Sequence, residues 1–98
     1  MRESVIEAEV CRYAARFGWK TRKLITVKND PDRLFFRRPC EVFFAEFKQL
    51  GVKPREGQAA RLSALAGMGF AAHVIDSVEV GKSIINEWEK NADNHNTP

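Results

Sequence analysis

The sequence predicts a small α/β domain: a helix, a meander of three strands, a second helix, one more strand and a closing helix, built as a mixed central sheet flanked by helices. Three observations carry this expectation. Apolar residues recur at helical steps in residues 4–17, 54–68 and 80–88. Residues 19–48 instead form strand-like runs rich in Phe, Val, Ile and Thr, broken at Asn29-Asp30-Pro31 and at Pro39-Cys40. A short apolar run, Phe70 to Asp76, follows the second helical stretch.

Residues 4–17 place Ile6, Val10, Tyr13, Ala14 and Phe17 on one stripe, and Gly18 supplies a stop. Ser4 and Glu7 have capping-box spacing. Glu7 also lies beside the apolar stripe, where a carboxylate needs a partner; Glu3, one turn earlier, is the other acid on offer. Trp19 to Lys28 alternates as a first strand, and Asn29-Asp30-Pro31 turns the chain. Leu34–Arg38 and Glu41–Lys48 are the second and third strands. The third is apolar on both faces, Val42 and Phe44 on one and Phe43, Ala45 and Phe47 on the other, as in a central strand covered on both sides. Pro54 opens the next helix, which carries Gln58, Leu62, Leu65 and Ala66 on one side. Gln58 in its first turn has two candidate roles, a hydrogen bond toward a site or satisfaction by nearby backbone. His73 in the last strand reads as a core or rim histidine, since nothing around it offers a ligand set. Val80 to Trp88 forms a final helix with Ile84, Ile85 and Trp88 on a stripe. Residues 1–90 are thus one domain, and residues 91–98 are expected to be a disordered polar tail.

At 98 residues and 44% apolar, the chain belongs with globular proteins rather than disordered ones. No apolar run approaches ~18 residues and no signal peptide is apparent, so neither secretion nor membrane spanning is expected. Two cysteines, Cys11 and Cys40, make no disulfide framework and read as buried thiols of a reducing cytoplasm. The modest net charge of +3 hides an asymmetry. Residues 12–61 hold thirteen Lys/Arg against five Asp/Glu, whereas residues 62–98 hold two Lys against five acids. A basic half suits a polyanion. The candidate DNA contacts are Lys23, Lys28, Arg33, Arg37, Lys53, Arg55 and Arg61, although strand-edge lysines also discourage aggregation.

The chemistry concentrates in residues 31–48. Asp32 follows a proline at a strand start, and Glu46-Phe47-Lys48 closes the next strand. Strand residues two apart share a face, so Glu46 and Lys48 point the same way, and Asp32 shares a face with Leu34 and Phe36. If the strands pair as a hairpin, all three groups meet at one end of the sheet. Two carboxylates and an ammonium there suit divalent-cation and phosphate chemistry. The plainer alternative is a cross-strand salt bridge between Glu46 and Lys48, worth ~0–1 kcal/mol if exposed.

Taken in order, Glu7, Pro31-Asp32-Arg33, Glu46-Phe47-Lys48, Gln58, Gly69 and Val74-Ile75-Asp76 resemble the VRR-NUC family, the virus-type replication-repair nucleases of the PD-(D/E)XK superfamily, over residues 3–89. One departure is Asp30, which stands where the family has glycine. The resemblance implies a restriction-endonuclease-like core and a catalytic set of Glu7, Asp32, Glu46, Lys48 and Gln58. It implies Mg²⁺, with Mn²⁺ able to substitute, held by Glu7, Asp32, Glu46 and the backbone carbonyl of Phe47. It further implies a structure-selective endonuclease for branched DNA such as four-way junctions, in the cytoplasm of a bacterial or phage-infected cell. Two incisions per junction and the small size of the domain point to a homodimer, through the final helix or the outer side of the first. Readings of other kinds are a non-catalytic DNA-binding module with a nuclease fold, a flap nuclease or exonuclease of DNA repair, and a basic protein that binds an acidic partner.

Overall fold

The computed structural model describes residues 1–25 and 27–95. Helix α1 (Glu3–Ala15) leads into strands β1 (Lys20–Lys23), β2 (Arg33–Arg37) and β3 (Glu41–Phe47). Helix α2 (Glu56–Gly67), strand β4 (Ala71–Ile75) and helix α3 (Val78–His95) complete the order. The sheet runs β1-β2-β3-β4, antiparallel across the first three strands and parallel between β3 and β4. This is the expected mixed sheet with β3 inside it. Among the described residues no helix is long and apolar enough to cross a membrane.

Alternation in β2 and β3 decides where the core lies. Phe35, Phe43, Ala45 and Phe47 point to the side on which α1 and α3 pack, and all four are buried. Phe35 stacks on Phe43 with ring centroids 4.6 Å apart, and Trp19 meets Phe43 edge-on at 5.0 Å. Ile6, Val10 and Ala14 of α1 and Ile85 of α3 close the cluster. Truncating one such phenylalanine costs about 3–5 kcal/mol, a large share of the stability of a domain this size. Helices α1 and α3 approach closely at Gly81, where a Cβ would stand 2.3 Å from Val10 Cγ2. Glycine there is a packing requirement.

Several elements differ from the sequence expectation. Strand β1 ends at Lys23, so Leu24 and Ile25 are not in the ladder, and Thr26 lies outside the described residues. The N-cap of α1 is Arg2 with no side-chain capping bond, and Ser4 lies inside the helix. The capping box of Ser4 and Glu7 is therefore not formed; Glu7 has another partner, described below. Cys40 is exposed rather than buried, at the β2–β3 connection, while Cys11 is half-buried with its thiol pKa pushed up by burial. Helix α3 continues to His95, so Asn91 to His95 are helical where a disordered tail was expected; residues 96–98 lie outside the described ones. Ile85 is fully buried and Trp88 packs on Trp19 and Phe43, so the stripe of the final helix serves its own core.

Candidate active site

The register of β2 and β3 builds the site. Arg33 pairs with Ala45, so Asp32, one residue earlier, stands opposite Glu46. Opposed residues of an antiparallel pair share a face. Pro31 is fully buried and fixes the approach to Asp32. Asp32 holds this end of the hairpin: its carbonyl accepts from Leu24 N–H at 3.0 Å, and its Oδ2 accepts from Phe47 N–H at 2.7 Å. At the end of β3, Lys48 N–H donates to the carbonyl of Ile75 at 3.0 Å, and its Nζ lies 3.3 Å from Glu46 Oε2. Asp32, Glu46 and Lys48 are thus gathered at one end of the sheet. The site lies at the rim of an inner strand, with Glu46 only 1% exposed.

Burial dominates the electrostatics. It pushes the Glu46 carboxyl up, the nearby Asp32 charge pushes it further, and the Lys48 ammonium opposes both. Burial likewise raises Asp32; its hydrogen bond from Phe47 opposes this, and the Glu7 charge adds to it. Lys48 therefore compensates only part of the cost of holding two ionised carboxylates here. Glu46 Oε1 is buried with no hydrogen-bond partner. A buried carboxylate oxygen left without a donor suits a cation, and hard oxygen donors suit Mg²⁺.

Glu7 reaches the same region from α1. Its Oε2 accepts from Arg33 Nε, and Arg33 also donates to Thr21 Oγ1 at 3.0 Å. Among the described residues no three His, Cys, Asp or Glu side chains are grouped as a ready metal cage. Asp32 and Glu46 fit a divalent cation as a pair, whereas Glu7 is held toward Arg33. Gln58 is buried, and its Oε1 accepts from Arg55 N–H at 3.0 Å, the backbone alternative of its two candidate roles. His73 is half-buried against the edge of Phe43, and burial lowers its pKa.

The seven candidate DNA contacts are dispersed. Lys23 ends β1, and its charge reaches Asp32. Lys28, Lys53 and Arg55 are exposed. Arg61 pairs with Asp30, so this extra carboxylate is turned to α2. Arg33 is engaged inside the site. Arg37 stands at the opposite end of the sheet, opposite Glu41 at the β2–β3 connection. There it binds Glu41, Glu89 and the carbonyl of Phe17 and covers Trp19 at 4.4 Å, with its side chain 10% exposed.

Sequence reasoning missed Thr21, the fork of Arg33 and the seat of α2. Gly57 lets the start of α2 approach Asn29, where a Cβ would meet the Asn29 side chain at 2.6 Å. Asn29 itself has φ +71, a left-handed value that Asn tolerates. The dipeptide Asn29-Asp30 before a proline was the one available signal.

A four-stranded mixed sheet with an acidic, lysine-bearing end and helices on both sides defines the architecture of this α/β domain. A solved structure described as a VRR_NUC domain superposes with a TM-score of 0.80 at 21% identity, covering 86% of this chain and 94% of that one. The chain therefore has the VRR-NUC fold. No protein-family model and no curated protein sequence matches it.

Raised carboxyl pKa values set the expected pH response. A raised folded-state value means the folded protein binds protons more tightly than the unfolded chain, so stability falls as pH rises above the ordinary carboxylate range. In chelator at pH 7, Asp32→Asn and Glu46→Gln should each raise Tm, because each removes a partly or fully desolvated charge. The gain over wild type should shrink toward pH 5 as the native carboxyls protonate. Melting curves in which both variants lose stability equally at both pH values would remove this electrostatic cost. Protonation of His73 contributes the same change to variant and wild type, so the comparison isolates the carboxyls.

Proposed function

We propose that the protein is a metal-dependent DNA nuclease that hydrolyses phosphodiester bonds as a structure-selective endonuclease on branched DNA such as four-way junctions. The observation that carries the reading is the meeting of Asp32, Glu46 and Lys48 at one end of the sheet, on a fold shared with a VRR_NUC domain. In this reading Asp32 and Glu46 hold Mg²⁺, with Mn²⁺ able to substitute, together with the Phe47 carbonyl, while Glu7 is the neighbouring acid held on Arg33. The bound ion supplies Lewis-acid stabilisation of charge on the phosphoryl oxygens.

The protein's own groups perform the remaining tasks. Asp32, anchored through Phe47 N–H, fixes its donor oxygens against the end of β3. Lys48 is placed by the β3–β4 ladder with its ammonium beside Glu46. From there it orients the attacking water and stabilises negative charge that develops at phosphorus. Water attacks in line and releases a proton to solvent as its oxygen bonds to phosphorus, the P–O3′ bond breaks, and the 3′ oxygen leaves as a hydroxyl after taking a proton from solvent. Lys23, Lys28, Lys53 and Arg55 are exposed cations available to the phosphate backbone, and Lys23 is the one whose charge reaches Asp32. Gln58 holds the start of α2 through Arg55 N–H and is left out of the reacting set.

Lys48→Ala should lower cleavage of labelled four-way junction by at least about 10²-fold, the usual scale for a lost transition-state donor, while junction affinity in chelator changes little. Flap, duplex and single-stranded DNA run in parallel separate junction cleavage from flap or exonuclease action. Wild-type rates in Lys48→Ala would exclude the lysine from the mechanism.

A homodimer belongs to the same reading, since one 11.2 kDa domain offers one site and a junction needs two cuts. Helix α3 is committed to its own core, so in this reading the contact falls to the outer side of α1, where Val5, Ala8 and Ala15 are exposed and uncharged. Light scattering at micromolar concentration should give twice the chain mass, and Val5→Glu should halve it. The mass of a single chain for the unaltered protein would remove paired incision.

A further inference from the structure

The two faces of the sheet are covered unequally. Every fully buried apolar side chain of β2 and β3 belongs to the α1–α3 side. On the other side Leu34, Phe36, Val42 and Phe44 are only half-buried, and α2 packs mainly over β4. The register gives the composition of this open face. Lys20 stands beside Phe36 and Val42, and Arg22 beside Leu34, Phe44 and Ala72. Glu46, which belongs to the candidate active site, ends the same face together with Asp32 opposite it. The Arg22 guanidinium lies over the Phe36 ring, 5.4 Å from its centroid. Phe44 meets Phe70 edge-on at 5.5 Å, and Phe70 is 42% exposed.

We propose that this open face is a stacking platform for unpaired DNA bases, with Phe36 and Phe44 as its aromatic floor and Lys20 and Arg22 as its phosphate-contacting border. Apolar rings under water are costly to leave uncovered, and bases cover aromatic rings without regard to sequence. The cationic edge supplies the charge that a single strand needs. Continuity with Glu46 brings a strand lying on the face up to the carboxylates. The inference rests on the nuclease reading and deepens it: the substrate has unpaired nucleotides next to the scissile phosphate, as at a branch, gap or tail.

Binding in chelator tests this separately from hydrolysis. Fluorescence anisotropy would compare a blunt duplex with the same duplex carrying an oligo-dT tail. The tailed DNA should bind about tenfold more tightly, the scale of one stacked base. Phe36→Leu, which keeps apolar bulk but removes the ring, and Arg22→Gln, which alters only an exposed side chain, should each bring that ratio toward one. Phe36→Trp should keep the preference, and its added emission should be quenched by oligo-dT. Equal affinity for tailed and blunt DNA, or a ratio untouched by both Phe36→Leu and Arg22→Gln, overturns the proposal. So does a dimer that Phe36→Leu dissociates while the ratio holds, because a second copy of the chain would then cover the face. A tail preference with these sensitivities, in a protein that cleaves nothing with Mg²⁺, would uphold the platform and remove the nuclease reading alone.

Discussion

The pairing register of β2 with β3 is the constraint on which the rest depends. A slip of one residue would turn every side chain of one strand to the other face. In the observed register Phe35 lies on Phe43 and both enter the core, while Asp32 comes to Glu46 at the strand ends. The aromatic core thus selects the geometry that also assembles the acidic site. Asp32 secures it from the other side, because its carboxylate takes Phe47 N–H. A residue proposed for chemistry is therefore also a clasp of the hairpin.

The site carries an electrostatic cost in the protein alone. One buried and one half-buried carboxylate face one lysine, and an oxygen of Glu46 has no donor. The third acid, Glu7, is taken up by Arg33, itself oriented by Thr21 of β1. Arg33 thereby moderates the repulsion among three acids and leaves Asp32 and Glu46 as the open pair. Two other part-buried groups are matched: Arg61 pairs with Asp30, and Arg37 bridges Glu41 and Glu89 over Trp19. Uncompensated buried charge with a tight local scaffold is the pattern expected where function rather than stability sets the residues.

Much of this was legible in the sequence because it depends on local periodicity. The two-residue spacing of Glu46 and Lys48, the proline before Asp32 and the Phe-rich alternation of β3 specify a hairpin with an acidic end. What was not legible depends on partners distant in sequence. Arg33 and Arg37 read as free cations, yet each finds carboxylates on another element, Glu7 from α1 and Glu89 from α3. The polar run Asn91 to His95 reads as a tail, but it contains no glycine or proline to stop α3, and the helix continues through it. The third strand reads as equally covered on both faces, whereas α2 is seated over β4 and leaves part of one face open.

The central claim is that Asp32 and Glu46 form a divalent-cation site. Titration calorimetry of the full chain with Mn²⁺ at neutral pH tests it without reference to any substrate. The account predicts a saturable binding event in the wild type that is lost in both Asp32→Asn and Glu46→Gln. Unchanged Mn²⁺ affinity in both variants, or no binding to the wild type, would contradict it.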